Sequence, residues 1–351
     1  MRFVFLTSTP LTATLGSGTF IAIDTLAGGL AALGHSAEIR PLRLRTRFHT
    51  LDRYLYNVGV ALAPPRADVV VGVDLDGFLW ARRRARPFVV SLKGIIADEA
   101  RNERGLVRAL LARQARWERL NVARADRIIV PSEYSAWAAQ REYGVPRARL
   151  AVVPEPIDLD GWQRRFAVAE RRPSDRPVVL SVGRMYARKR FGDLLHAARL
   201  LRERIPDVQV RIVGRGPAWA RVSALRDELS LHDTVVLLGD VSRRQLAEEY
   251  VSADCFCLPS VQEGFGIVFA EAMAAGLAVV ACRAAAVPEV VIDRRTGLLV
   301  NPESPGDLAM ALETLLMNSG LRKDLAAAGR AWVARFARDR VAARFVQAAE
   351  G

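Results

Sequence analysis

At 351 residues the chain is too long for one typical hydrophobic core and long enough for two, at roughly 150 residues per domain. A hydrophobic content of 51% with 25% charged residues excludes a disordered or fibrous protein and indicates a soluble globular one. The net charge of +13 is almost all arginine, since lysine occurs only at Lys93, Lys189 and Lys323, so it reads as a chain-wide bias as readily as a nucleic-acid surface.

In chain order, residues 2–7 have the composition of a first strand. A loop holding Gly16 and Gly18 follows, then a helical pattern over 20–33 with Ile21, Leu26, Leu30 and Leu33 on one face, stopped by Gly34. Residues 37–41 complete a βαβ unit, and the alternation continues with strands at 68–73, 87–92, 126–130 and 150–153. Helical segments lie between them, notably over 99–122 and 132–143, which predicts a parallel sheet covered on both faces. The apolar run 3–6 is too short for a signal peptide and nothing approaches a membrane span, so a cytoplasmic protein is expected. Two arginine clusters in this half, Arg40, Arg43, Arg45, Arg47 and Arg53, and Arg82, Arg83, Arg84 and Arg86, point either to solvated faces or to peripheral contact with an anionic membrane on its inner side. Cys255, Cys257 and Cys282 all sit in strand-like apolar runs and read as small buried hydrophobes.

Residues 154–177 break the rhythm with Pro154, Pro156, Pro173 and Pro177, and read as an interdomain linker. The alternation then restarts, with strands at 178–182, 208–213, 235–238, 254–258, 279–281 and 297–300 and helices at 191–205, 218–229, 243–252, 307–317 and 321–337. The expected organisation is α/β: a first doubly wound domain over 1–165, a second over 166–336, and a terminal helix over 337–351 free to cross back to the first.

Sheets of this kind bind ligands at the carboxyl ends of their strands. In the second half the strand-end loops hold Gly183, Arg184 and Lys189, then Gly214, Arg215 and Gly216, then Asp240 and Val241, then Glu263, Gly264, Phe265 and Gly266. Residues 259–288 organise the rest: a strand end, a glycine-containing loop, and a helix rich in alanine that carries Glu271. Such a helix start is an anion site, because its first N–H groups are unpaired and its dipole favours negative charge. The convergence of glycines, cations and carboxylates on one sheet edge predicts a phosphorylated ligand.

The segments SVGRMYARKRFGDLLHA, VRIVGRGP, VVLLGDVSRRQLAEEYVSADCFCLPSVQEGFGIVFAEAMAAGLAVVA, VPEVV and TGLLV resemble glycosyltransferase family four, the retaining nucleotide-sugar enzymes of GT-B architecture. The likeness covers the second half in order and spacing, and the first half more loosely. It implies two Rossmann-like domains facing a cleft, and transfer of a sugar from a UDP- or GDP-linked donor to an acceptor: a sugar, glycan, lipid-linked molecule or natural product. It further implies that Glu263 contacts the donor sugar, Glu271 the ribose, and Arg184 and Lys189 the diphosphate. Phe265, Gly266, Ile267 and Val268 would form the helix start around that diphosphate, while Arg215, Gly216 and Val241 would border the nucleoside and Gly16 belongs to the first domain's loop. A retaining reaction of this type needs no enzyme nucleophile, no cofactor and no metal ion.

The chain departs from the family pattern at two points. Lys93 stands in VVSLKGIIADE where a histidine is expected, which assigns Lys93 to donor or acceptor oxygens, and Glu155-Pro156 replaces an Asn-Gly. These departures keep open a degenerate nucleotide-sugar-binding protein. Asp74-Leu75-Asp76 resembles a metal motif of another fold, and reads here as an acceptor loop or a solvated turn. A dinucleotide-dependent oxidoreductase is disfavoured by the lack of a full G-x-G-x-x-G, and a nucleic-acid binder by the lack of an aromatic-basic module.

Overall fold

The structure is a computed structural model that describes residues 1–10, 13–43, 46, 48–82, 87–171 and 174–350, with the side chains of 13–17 outside the description. Among the described residues the chain forms two six-stranded, all-parallel sheets in two compact units, one made of Met1–Ile157 with Phe336–Gly351 and the other of Asp158–Arg335.

The first unit runs β1 (Arg2–Thr7), α1 (Ala13–Ala32), β2 (Ser36–Pro41), α2 (His49–Leu62), β3 (Val69–Val73), β4 (Phe88–Ser91), α3 (Ile96–Glu99), α4 (Gly105–Arg124), β5 (Arg127–Val130), α5 (Glu133–Tyr143) and β6 (Leu150–Val152). Its strand order is β2-β1-β3-β4-β5-β6. A run such as Val69–Val73 has no polar side to offer water, and every residue in it is buried, as helices on both faces require.

The second unit runs α6 (Leu159–Val168), β7 (Val178–Val182), α7 (Phe191–Arg204), β8 (Gln209–Val213), α8 (Trp219–Glu228), β9 (Val235–Gly239), α9 (Arg243–Ser252), β10 (Cys255–Leu258), α10 (Ile267–Ala275), β11 (Ala278–Cys282), α11 (Val287–Val290), β12 (Gly297–Val300), α12 (Pro305–Met317) and α13 (Ser319–Val333). The order β12-β11-β10-β7-β8-β9 reverses direction between β7 and β10, the topological switch point at which open α/β sheets leave a crevice. All three cysteines are buried and free.

Three expectations change. The first helix begins at Ala13, so Gly16 lies within the span of α1 and not in a loop; its surroundings fall outside the described residues. A glycine weakens a helix by only about 1 kcal/mol, and α1 holds Gly16 and Gly18 together with Gly28 and Gly29 while Leu26 and Leu30 pack in the core. The stretch 99–122 is not one helix: α3 ends at Glu99, Glu103 and Arg104 are extended, and α4 starts at Gly105 with a positive φ of 57°. The proline-rich 154–177 contains α6, which Asp158 caps by accepting a hydrogen bond from the Gly161 N–H at 3.0 Å, so the units divide at Ile157 rather than near 165. The last helix, where a separate terminal helix is expected, is α14 (Arg338–Glu350). It follows a strap in which the Ile157 N–H donates to the Phe336 carbonyl at 2.8 Å and the Arg338 N–H to the Ile157 carbonyl at 3.0 Å. Val341 and Phe345 then join Leu26, Leu30, Phe3 and Phe5 in the core of the first unit.

Candidate functional site

The loops after β7 and β10 flank the switch point, and they are laced together. The Val261 N–H donates to the Arg188 carbonyl at 2.9 Å, and the Ser260 hydroxyl to the same oxygen at 3.2 Å. Across this seam Lys189 Nζ forms an ion pair with Glu263 Oε1, both side chains nearly inaccessible to solvent. Arg184, half-buried, and Arg188 approach the ring of Tyr186 at 5.9 and 5.0 Å. One strand end thus carries Arg184, Arg188 and Lys189, and the facing one supplies a carboxylate.

Gly266 precedes α10 with φ of 93°, and no side chain caps this helix start. An added Cβ there would lie 2.6 Å from Cδ2 of Phe269 and 3.7 Å from Cγ of Glu263, so only glycine lets the loop turn in this way beside the Lys189–Glu263 pair. Phe265 is buried, whereas Ile267 and Val268 are half-buried at the first turn. Their N–H groups are among those an α-helix leaves without an internal partner.

Glu271 lies one turn further into α10 and is buried. It accepts a hydrogen bond from the Tyr250 hydroxyl of α9 at 3.1 Å. Burial pushes its carboxyl up to about 7, against the opposing pull of hydrogen bonds from Tyr250 and Trp162 and of the charges of Arg243 and Arg165. Trp162 and Phe166 on α6 stack at 5.1 Å, and both meet the Tyr250 ring edge-on. Sequence reasoning missed Trp162, Arg165, Tyr250 and Arg243 as neighbours of Glu271. The signal for the first two was the Asp158 cap followed by apolar Trp162 and Phe166 at i, i+4 spacing, hidden by the prolines around it.

The remaining second-unit residues line the next two strand ends. Arg215 stacks on Trp219 at 4.3 Å while its N–H donates to Asp240 Oδ1 at 3.0 Å, and Val241 follows half-buried. Gly216 has a packing reason of its own: a Cβ would sit 2.6 Å from the Met185 N.

Lys93 and Gly16 belong to the first unit. Lys93 Nζ pairs with Glu155 Oε2 at 2.9 Å, and its N–H donates to Asp74 Oδ1 at 2.8 Å. The two departures from the family pattern are therefore one feature, a cation and an anion that meet. Burial raises the Glu155 carboxyl, and Lys93 opposes that rise. The solvated-turn reading of Asp74 and Asp76 is overturned. Asp76 is fully buried, accepting from the Ser8 N–H at 2.6 Å, the Ser8 hydroxyl and the Asn57 amide, with Arg53 at 4.0 Å. Arg53 is itself buried, so it leaves the proposed surface cluster; Arg45, Arg47, Arg83, Arg84 and Arg86 lie outside the described residues. Among the described residues no group of three His, Cys, Asp or Glu side chains is arranged to hold a metal ion.

Residues 163–332 match the family model of glycosyl transferases group 1, and residues 30–161 that of glycosyltransferase family 4. The chain is 35% identical over 238 residues to the D-inositol 3-phosphate glycosyltransferase of Xylanimonas cellulosilytica, covering 63% of this chain and 56% of that one. It is 30% identical over 264 residues to the GDP-mannose-dependent alpha-(1-6)-phosphatidylinositol monomannoside mannosyltransferase of Mycolicibacterium smegmatis, covering 69% of each. The match therefore spans little more than half the length of the first relative. In fold it is similar to sucrose-phosphate synthase of Thermosynechococcus elongatus, with a TM-score of 0.80 at 21% identity over 99% of this chain and 97% of that one. It is likewise similar to Anabaena HepE, solved with UDP and glucose, with a TM-score of 0.76 at 18% identity over 99% and 98% of the two chains.

Proposed function

This chain belongs to the group 1 glycosyl transferases of glycosyltransferase family 4, and from that premise we propose that it transfers a sugar from a UDP- or GDP-linked donor to an acceptor hydroxyl with retention of anomeric configuration. The observation that carries this reading is the Lys189–Glu263 pair at the switch point, beside an uncapped helix start. A departing nucleoside diphosphate gains negative charge as the sugar–oxygen bond breaks. Arg184, Lys189 and the first N–H groups of α10 stabilise that charge as it forms, and Glu263 orients the sugar. Glu271 accepts from the ribose hydroxyls, and Arg215, Gly216 and Val241 border the base.

In the retaining step the bond from the anomeric carbon to the phosphate oxygen breaks and a bond to the acceptor oxygen forms on the same face. The acceptor's proton passes to the departing phosphate oxygen, so the enzyme needs no nucleophile, and the glycosidase rule for paired carboxylates does not apply. Lys93, held by Glu155, donates to acceptor oxygens. The cationic cradle takes over the charge neutralisation that a divalent ion would otherwise supply, so transfer survives chelation. One relative is named as a phosphatidylinositol monomannoside mannosyltransferase, which supports an enzyme working against an anionic membrane.

The test is a panel of nucleotide sugars and nucleoside diphosphates screened for thermal stabilisation, followed by the anomeric configuration of the product for the donor that binds. A shift with UDP or GDP and a retained anomer are expected. A flat panel, or an inverted product, would refute the reading.

A further inference from the structure

Helix α2 buries one face against the first unit, through Tyr56 and Val60, yet its outer face is also apolar. Leu51, Leu55 and Leu62 recur there at helical spacing and are exposed, Leu62 to 80%, and Phe48 just before the helix is 70% exposed. The first turns of α4 are exposed on every side, with Leu106 75% exposed and Leu110 one turn on. Aliphatic surface gathered in this way at one location marks an interaction site.

The two faces are continuous. Leu106, Leu110, Arg113 and Trp117 fall at i, i+4, i+7 and i+11 along α4, and the Trp117 ring lies 5.6 Å from that of Tyr54 on α2. The Arg53 guanidinium donates to Gln114 at 2.8 Å and Gln114 donates to Thr50 at 2.9 Å, fixing α2 against α4. The rim is cationic: Arg104, Arg108 and Arg113 are exposed, and the Arg113 guanidinium lies over Trp117 at 5.7 Å. Two nearby carboxylates are turned inward, Asp52 accepting from the Thr46 N–H and Glu118 from the Ile96 N–H and the Tyr143 hydroxyl, and Glu103 before Arg104 is half-buried.

We infer that the outer faces of α2 and α4 form one docking surface for an anionic lipid bilayer, the leucines entering the acyl boundary and Arg104, Arg108 and Arg113 meeting the headgroups. Charge decides against a second copy of this chain as the occupant. An isologous contact would lay one arginine-bearing face over another of the same charge, whereas anionic headgroups complement it. The inference rests on the proposed membrane-facing transferase and names the face it uses.

The full chain would be sedimented with phosphatidylcholine vesicles, with and without about one-third phosphatidylglycerol. Binding to the anionic vesicles only is expected. The partition coefficient should fall at least tenfold in the double variant Leu55→Glu with Leu106→Glu, and by a similar factor in Arg104→Gln with Arg108→Gln. All four positions are exposed, and an unchanged UDP- or GDP-induced rise in melting temperature confirms that the variants are folded. No binding by the unaltered chain, variants that bind as it does, or a dimer that the variants dissolve would each overturn the proposal. A chain that binds vesicles but responds to no nucleotide would overturn the transferase reading and leave the docking face standing.

Discussion

Lys189 and Glu263, 74 positions apart, meet as a buried ion pair that ties the strand ends on either side of the second sheet's switch point. Neither side chain is at ease alone: a buried charge stripped of its partner costs about 3–5 kcal/mol, whereas replacing both members is close to neutral. Lys189→Met should therefore destabilise the chain strongly, while Lys189→Met with Glu263→Gln should recover most of the melting temperature. The double variant should still lose turnover about 100- to 1000-fold, the scale of removing one preorganised charge from a transition state. Melting curves set beside kcat separate the two effects. A double variant that regains both stability and turnover would show that the pair is a structural strut only.

If Glu271 accepts from the ribose as proposed, its carboxyl, pushed up to about 7 by burial, should make nucleotide binding pH-dependent. Ribose hydroxyls donate, and the ionised carboxylate accepts them better. Affinity is thus held above pH 7 and falls as the pH drops through that value, approaching about tenfold per unit. Without ligand the sign reverses. The folded chain holds this proton more tightly than the unfolded chain, so the group's contribution to stability is full below the ordinary carboxylate value of 4.5 and is lost as pH rises through 7. Glu271→Gln should raise the ligand-free melting temperature at pH 8, flatten the pH profile of binding and weaken binding about ten- to 100-fold. Calorimetric titrations of UDP or GDP across pH 6 to 8.5 give the profile, and a flat one in the unaltered protein would remove Glu271 from the ribose.

Gly266→Ala should cost about 1–3 kcal/mol, from a non-glycine residue at φ of 93° and a Cβ 2.6 Å from the Phe269 ring. In a unit of this size that lowers the melting temperature by about 2–12 °C, and the nucleotide-induced shift should disappear with it. Gly306→Ala is the control, since a Cβ there meets nothing within 4 Å. Equal behaviour of the two variants would mean that the loop before α10 tolerates another conformation.

The strand ends of the second sheet were legible because strand composition, helix periodicity and turn glycines agree there; Val178–Val182 and Gly297–Val300 fall where the sequence puts them. The resemblance singled out Glu263, Arg184 and Lys189, and the structure brings Lys189 and Glu263 together across the seam. The wall behind Glu271 was not, because prolines on both sides of α6 obscured a helix whose apolar face becomes meaningful only against Tyr250. Nor was Arg53 recognisable as buried, since its partners Asp74, Asp76 and Gln114 come from elsewhere in the first unit. Periodicity reports which face is apolar; it carries no record of a polar network assembled from distant segments.

Lys93 and Glu155 stand where the family resemblance leads one to expect a histidine and an Asn-Gly, and their pairing at 2.9 Å makes them one testable unit. If Lys93 serves the acceptor, Lys93→Met should leave the nucleotide-induced thermal shift intact and lower turnover at least 100-fold, because the donor loops of the second unit are untouched. Lys93→Met alone also leaves Glu155 buried and unpaired, which by itself lowers stability. Lys93→Met with Glu155→Gln removes that cost, so any turnover still missing in the pair belongs to chemistry or acceptor binding. Donor hydrolysis without acceptor divides those two, since loss of transfer with hydrolysis preserved puts Lys93 at the acceptor. Transfer at the unaltered rate in the double variant would leave the pair as a replacement strut with no part in the reaction.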